Sequence, residues 1–248
     1  MALFEARHVS KRFGDRVVLA DITLSFEQGR LSGIVGPNGA GKTTCFNVLT
    51  GQVPPDRGRV LLDGQDVTGL SARQLAERGV ARSFQVVSLF DELTVLENAL
   101  LAVPEMRRSG LNPFKSAAAD RAALDKAAQA AERVGLAGRL DEKAKSLSYG
   151  ERRALDIAVA LAAEPRVLFL DEPTQGLGAE GRERLLELIG SLRRSFTIVM
   201  IEHDLDFLLR LADRVFVLHW GQVIAQGTPE ELRADPWLER ASRGGRDA

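Results

Sequence analysis

The chain has one cysteine, Cys45, so no disulfide can form within it, and a single thiol suits the cytosol. Cys45 falls on a helix that follows a glycine-rich loop, where a small buried thiol is expected rather than a redox group. Nowhere is there a run approaching the roughly 18 apolar residues of a membrane-spanning helix. The start, Met1-Ala2-Leu3-Phe4-Glu5-Ala6-Arg7, lacks the long apolar core of a signal peptide. A surplus of either charge is missing too. The formal net charge is −1 and no long block of like charge occurs, which argues against nucleic acid as a partner. There is no internal repeat and no low-complexity linker long enough to separate domains. At 248 residues the chain buries a sizeable core as one large domain or as a domain with an inserted subdomain.

What is present is Gly36-Pro37-Asn38-Gly39-Ala40-Gly41-Lys42-Thr43, which fits the P-loop pattern G-x-x-x-x-G-K-S/T without a mismatch. Leu31 to Val35 reads as a short buried strand before it, and Thr43 to Leu49 as a helix after it that Gly51 ends. The glycines let the backbone curl so that its N–H groups face phosphate oxygens, and the helix N-terminus adds partial positive charge. Lys42 then reaches the β- and γ-phosphates, and the Thr43 hydroxyl ligates Mg²⁺. A Gly-rich turn matching by chance is the bland alternative; strand and helix in the right places weigh against it. The pattern implies a nucleoside triphosphate ligand.

A second constellation lies downstream. Val167-Leu168-Phe169-Leu170 is an apolar run of the kind buried on both faces in a parallel sheet, and it ends in Asp171-Glu172. Ligands of open α/β sheets sit at the carboxyl ends of the strands, so Asp171 is expected to face Mg²⁺. Glu172 is expected to act as general base, or to position the water, for in-line attack on the γ-phosphate. An apolar run capped by solvated acids is common on its own; beside a P-loop it gains weight. Thr197-Ile198-Val199-Met200-Ile201 leads into Glu202-His203-Asp204 and reads as a neighbouring strand that presents His203 to the same sheet edge. Gln85, after Ala81-Arg82-Ser83-Phe84, is a further candidate for Mg²⁺ or the water. Singly, a histidine after a strand or a lone glutamine fits a structural role as well.

Leu147-Ser148-Tyr149-Gly150-Glu151 precedes a helical pattern from Arg152 to Ala163, and Ser148 is placed to cap that helix. The order P-loop, Gln85, Leu-Ser-x-Gly-Glu, Leu-Asp-Glu, His203 resembles the ATPase subunits of ATP-binding cassette (ABC) transporters. The resemblance runs from Phe4 to about Leu238. It implies an α/β fold: a P-loop NTPase (RecA-like) core with an N-terminal antiparallel β-subdomain and an inserted helical subdomain. The implied boundaries are 1–86 for the β-subdomain and first part of the core, and 87–150 for the helical subdomain ending in the signature. The second part of the core follows at 151–227, and a C-terminal helix with a disordered tail at 228–248.

The resemblance also implies roles. ATP and Mg²⁺ are the ligands, and two ATPase subunits, identical or not, sandwich two ATP molecules head to tail. Gly36, Pro37, Asn38, Gly39, Ala40, Gly41, Lys42, Thr43 and Thr44 hold one ATP, while Ser148 and Gly150 reach the γ-phosphate across the dimer. Phe13 matches the aromatic that stacks on adenine. Gln85 matches the loop that senses the γ-phosphate and touches the membrane partner, Glu172 the catalytic carboxylate and His203 the switch histidine; Thr43, Gln85 and Asp171 serve the metal. Separate permease subunits, and indirectly a solute-binding protein, are the implied partners, with the chain cytoplasmic and peripheral on the inner face of the membrane.

Two positions depart from the family pattern. Tyr149 stands where the common signature has Gly. Gly178, in Gln175-Gly176-Leu177-Gly178, stands where the loop usually ends in Asp, which puts a carboxylate contact across the dimer in question. Three further stretches are similar to the ATPases of branched-chain amino acid importers and their urea or amide relatives. They are Ala81 to Gln85, Leu89 to Asn98, and Gly227-Thr228-Pro229-Glu230-Glu231. A lipopolysaccharide-export ATPase is the nearest competitor, and a soluble ABC ATPase acting on DNA or ribosomes is a third reading. Such soluble proteins usually carry two cassettes, coiled coils or basic extensions, which this sequence lacks. Val86 to Asp91 is the expected permease contact, with Phe90 fitting a docking groove or a core position equally.

Overall fold

The computed structural model describes residues 2–83, 89–109 and 117–234. The chain forms two compact units, one of Met1–Leu70 with Thr197–Ala248 and one of Ser71–Phe196.

In the first unit, β1 (Ala2–Phe13) and β2 (Arg16–Glu27) pair antiparallel across the turn at Gly14. β2 buries Leu19, Ile22, Leu24 and Phe26, nearly every second residue, as a half-covered antiparallel strand must. β4 (Arg57–Leu62) pairs with the other edge of β1, and β5 (Gln65–Asp66) closes the sheet in the order β2-β1-β4-β5.

The strands that carry chemistry read differently. β3 (Leu31–Val35) and β8 (Thr197–Glu202) are buried at every residue, and they pair in parallel. Burial on both faces is why neither strand shows the apolar–polar alternation of β2; β8 carries Ile198 to Ile201 as an unbroken apolar run, and β3 tolerates only the small Ser32 and Gly33 among its apolar residues. β9 (Arg214–His219) lies parallel on the other side of β3, and β10 (Gln222–Gly227) returns antiparallel beside β9. Helices α1 (Lys42–Leu49), α8 (Leu205–Leu211) and α9 (Pro229–Arg233) complete the unit. Phe26 stands edge-on to Phe216 with ring centroids 5.7 Å apart, so the antiparallel sheet and the parallel strands share one core.

The second unit is mostly helical. β6 (Val80–Arg82) and β7 (Val167–Asp171) form a short parallel pair. The unit's helices are α2 (Ala72–Ala76), α3 (Val95–Leu100), α4 (Pro104–Ser109), α5 (Ala117–Arg133), α6 (Tyr149–Ala162) and α7 (Ala179–Leu192), of which α2 and α6 pack on β6. α3, α5 and α6 pack together, and α5 turns Ala123, Ala127, Ala130 and Ala131 inward, a seam of small side chains that permits close approach. Capping boxes start α2, α3 and α6: Ser71 with Gln74, Thr94 with Glu97, and Ser148 with Glu151. The helical subdomain expected at 87–150 also contains 3-10 turns among its described residues. Gly135 at φ 79° follows the end of α5, and Ala137–Arg139 and Ala144–Ser146 are single 3-10 turns. Cys45 is fully buried, and burial pushes its thiol up to about 12, as befits a packing group. The tail from residue 235 onward lies outside the described residues.

Candidate nucleotide site

In the first unit the chain leaves β3 at Val35 and curls through 36–41 into α1. Gly41 stands at φ 100° as the N-cap of α1, and a Cβ there would lie 2.9 Å from the Val18 carbonyl oxygen. Conformation and space both require glycine. With no side-chain cap on α1, the helix N-terminus is a suitable anion site. Lys42 is buried, and its Nζ donates to the carbonyls of Gly36 at 2.6 Å and Pro37 at 3.1 Å. Its ammonium therefore sits inside the curl of the loop. Pro37, Asn38, Gly39 and Thr43 are exposed, Thr44 is half-buried, and Ala40 is buried.

His203 belongs beside this loop. Val35 and Glu202 are register partners in the parallel pair β3–β8, so Gly36 and His203 leave neighbouring strands at the same end. His203 is half-exposed, with Nδ1 3.6 Å from the fully buried Glu202 carboxylate. Phe13, at the end of β1, is 51% exposed, and the Lys11 ammonium lies 5.6 Å from its ring centroid while bonded to Asp56. A contact that sequence patterns did not foretell holds the loop from below. The Gly221 N–H donates to the Ala40 carbonyl at 2.9 Å, and the Ala20 N–H donates to the Gly221 carbonyl at 2.8 Å. The β9–β10 turn thereby ties the P-loop to β2.

In the second unit β7 ends on Asp171, which is 4% exposed. Its N–H donates to Ser83 Oγ at 3.4 Å, and the Ser83 N–H donates to the Phe169 carbonyl at 2.8 Å. Arg82 supplies the compensating charge that a buried acid needs. Burial draws its guanidinium below the ordinary range, while the fields of Asp171 and Asp156 pull it back. Glu172 is held at φ 42°, a left-handed conformation that is sparsely populated outside glycine. Its carbonyl accepts from the Gln175 N–H at 3.0 Å and from the Arg153 guanidinium at 3.4 Å. Arg153, buried on α6 with Asp156 3.9 Å away, was not singled out from sequence; the one available signal was an arginine and an aspartate three residues apart on a largely apolar helix face.

Ser148, Tyr149 and Gly150 are exposed at the start of α6. Glu151 accepts from the Ser148 N–H at 2.8 Å and its hydroxyl at 2.7 Å, and those bonds hold the Glu151 carboxyl below its usual range. Gly178 is the N-cap of α7, with no side-chain cap bond. Phe90 is 61% exposed, which removes the core reading of this residue. It is flanked by ion pairs of Asp91 with Arg152 at 2.6 Å and of Glu92 with Lys145 at 2.7 Å. Gln85, and Val86 to Ser88 of the expected docking stretch, lie outside the described residues.

The first unit thus brings the P-loop and His203 together, and the second joins Asp171, Glu172 and the start of α6. The first has the chemistry of a phosphate cradle. The second has that of a buried carboxylate beside an acid on a strained turn.

A family model described as ABC transporter matches residues 19–175. The chain is 40% identical over 249 residues, 98% of each chain, to the high-affinity branched-chain amino acid transport ATP-binding protein LivG of Escherichia coli (strain K12). It is 34% identical, over 98% of each chain, to the lipopolysaccharide export system ATP-binding protein LptB of Haemophilus influenzae. Among solved structures, the ADP conformation of MJ1267, an ATP-binding cassette of an ABC transporter, superposes with a TM-score of 0.84. Its sequence is 29% identical, over 98% of this chain and 99% of that one. The dimeric structure of MJ0796, a bacterial ABC transporter cassette, gives a TM-score of 0.75 at 25% identity, covering 91% of this chain and 98% of that one.

Proposed function

This chain belongs to the ABC transporter family, and we propose that it is the ATP-hydrolysing, energy-coupling subunit of an importer for branched-chain amino acids or related small polar solutes such as urea and amides. The observation that carries this reading is the full-length likeness to LivG at 40% identity, against 34% for LptB. Among the described residues no helix is long and apolar enough to cross a membrane. On this reading a separate permease spans the membrane, this chain works from its inner face, and a solute-binding protein supplies cargo on the far side. The dimeric cassette among its structural relatives supports pairing with a second ATPase subunit.

The residues take the following roles. The loop Gly36 to Thr44 cradles the triphosphate, with Lys42 on the β- and γ-phosphates and Phe13 against the base. A water attacks the γ-phosphorus in line and gives its proton to Glu172, and the bond to the bridging oxygen breaks to leave ADP and phosphate. His203 holds the γ-phosphate, and Gln85 orients the water. Ser148 and Gly150 serve the ATP of the partner subunit.

Magnesium fits the donor set. Asp171 is a buried carboxylate at the end of β7 and Thr43 an exposed hydroxyl just after Lys42, oxygen donors of the kind Mg²⁺ takes, and Mg²⁺ is usually held by one or two side chains plus substrate phosphates. Asp171, Thr43 and Gln85 are the groups that would hold it, and when bound it neutralises charge on the phosphates.

The test is the ATPase rate of the chain assembled with its permeases in proteoliposomes. Stimulation by a leucine-loaded binding protein is expected. Stimulation by lipopolysaccharide instead would assign the chain to export.

A further inference from the structure

The chain's one tyrosine is half-exposed, yet its hydroxyl does not simply face water. Tyr149 Oη donates to the Gln175 carbonyl at 2.9 Å, 26 residues further along the chain. The phenol ring also fills the space over Gly176. That residue stands at φ 77°, and a Cβ on it would lie 2.8 Å from Oη and 3.0 Å from Cζ. The positive φ favours glycine there, and a larger residue would also have to displace the Tyr149 phenol.

The same helix reaches the other end of this turn. Arg153 lies four residues after Tyr149 and so on the same face of α6. Its guanidinium donates to the Glu172 carbonyl, which also accepts the Gln175 N–H. The first turns of α6 therefore grip the 172–176 turn twice, at Glu172 through Arg153 and at Gln175 through Tyr149. A left-handed glutamate needs such support, because a sparsely populated conformation persists only where its surroundings over-determine it.

We propose that Tyr149 is a positioning residue for hydrolysis: its hydroxyl, acting with Arg153, locks the 172–176 turn and so sets the Glu172 carboxylate against the attacking water. Because Tyr149 directly follows Ser148, a nucleotide that draws on the start of α6 also pulls on the turn that holds this subunit's own acid. The signature of one site is thereby linked to the acid of the other within a single chain. The tether also gives the loop an anchor in a chain where Gly178 offers no side chain. The proposal rests on the assignment of Glu172 as the water-activating acid.

Steady-state hydrolysis by the full chain tests it, with wild type, Tyr149→Phe, Gly176→Ala and the double variant assayed well below their melting temperatures. Tyr149→Phe keeps the ring and removes one neutral hydrogen bond, so kcat falls about three- to tenfold while KM for ATP stays within about twofold. The double variant is no slower than the slower single variant, because both changes loosen the same turn. A wild-type kcat in Tyr149→Phe, whatever its KM, overturns the proposal, and so does a double variant whose losses multiply. Glu172→Gln separates the two layers. If it hydrolyses ATP at a near-normal rate, the assignment of the acid falls; if it is inactive while Tyr149→Phe is normal, only the tether falls.

Discussion

Lys42 Nζ lies 2.6 Å from the carbonyl oxygen of Gly36, six residues earlier in the chain. A buried ammonium satisfied by loop carbonyls fixes the curl and aims charge into it. Lys42→Ala removes both effects. The expected outcome is no measurable ATP turnover and nucleotide binding weaker by about tenfold or more, since charge-assisted bonds contribute about 1.5–3 kcal/mol each. Fluorescent nucleotide titration and phosphate release check it; near-normal hydrolysis by a folded variant removes the P-loop assignment.

Phe90 stands exposed beside the ion-paired acids Asp91 and Glu92. Phe90→Asp puts a charge where a desolvated contact is expected, which is costly without a partner charge. ATP binding by the purified subunit should persist while co-purification with the permeases falls and transport is lost. Full transport by the variant moves the docking surface elsewhere.

Gly178 caps α7 with extended backbone, φ −70° and ψ 175°, which an aspartate adopts without strain. Gly178→Asp should therefore stabilise the fold by a few tenths of a kcal/mol through the new cap. ATP affinity should hardly change, whereas the Hill slope or turnover of the assembled complex should shift. Identical kinetics would show that this departure from the family pattern is neutral.

Ser148 and Glu151 give a pH-dependent prediction. The Ser148 hydroxyl and N–H bonds lower the folded-state value of the Glu151 carboxyl, with smaller help from Arg139 and Arg184. A depressed folded value contributes stability that is full above the unfolded value and is lost as pH falls through the folded one. Melting temperature measured from neutral pH down through the carboxylate range should thus decline less steeply in Ser148→Ala than in wild type. At pH 7 that variant should be less stable by about 1 kcal/mol, the usual cost of a lost cap. Parallel curves would remove the linkage.

Much of this was legible in the sequence because it is local. The runs Leu31–Val35 and Val167–Asp171 read as buried parallel strands and are buried at every residue. Ser148 with Glu151 three residues on read as a helix start, and it is a capping box. What escaped depends on partners far apart in sequence. Gly221 meets Ala40 across 181 positions, and nothing in the local pattern of either announces it. Tyr149 stood out as a departure from the usual signature, but its bond to Gln175 needs α6 and the loop after β7 in their folded places. Phe90 was ambiguous because one apolar residue among acids fits a core or an interface; exposure decided it.

The most direct measurement is ATP-driven uptake of labelled leucine by vesicles that carry this chain with its permeases and binding protein. Wild type and Glu172→Gln are compared, with size-exclusion chromatography of each chain in ATP and Mg²⁺ alongside. The account predicts uptake with wild type and none with Glu172→Gln, whose lost proton acceptor leaves ATP bound and the subunits held as a closed dimer. Undiminished uptake and turnover with Glu172→Gln would contradict it.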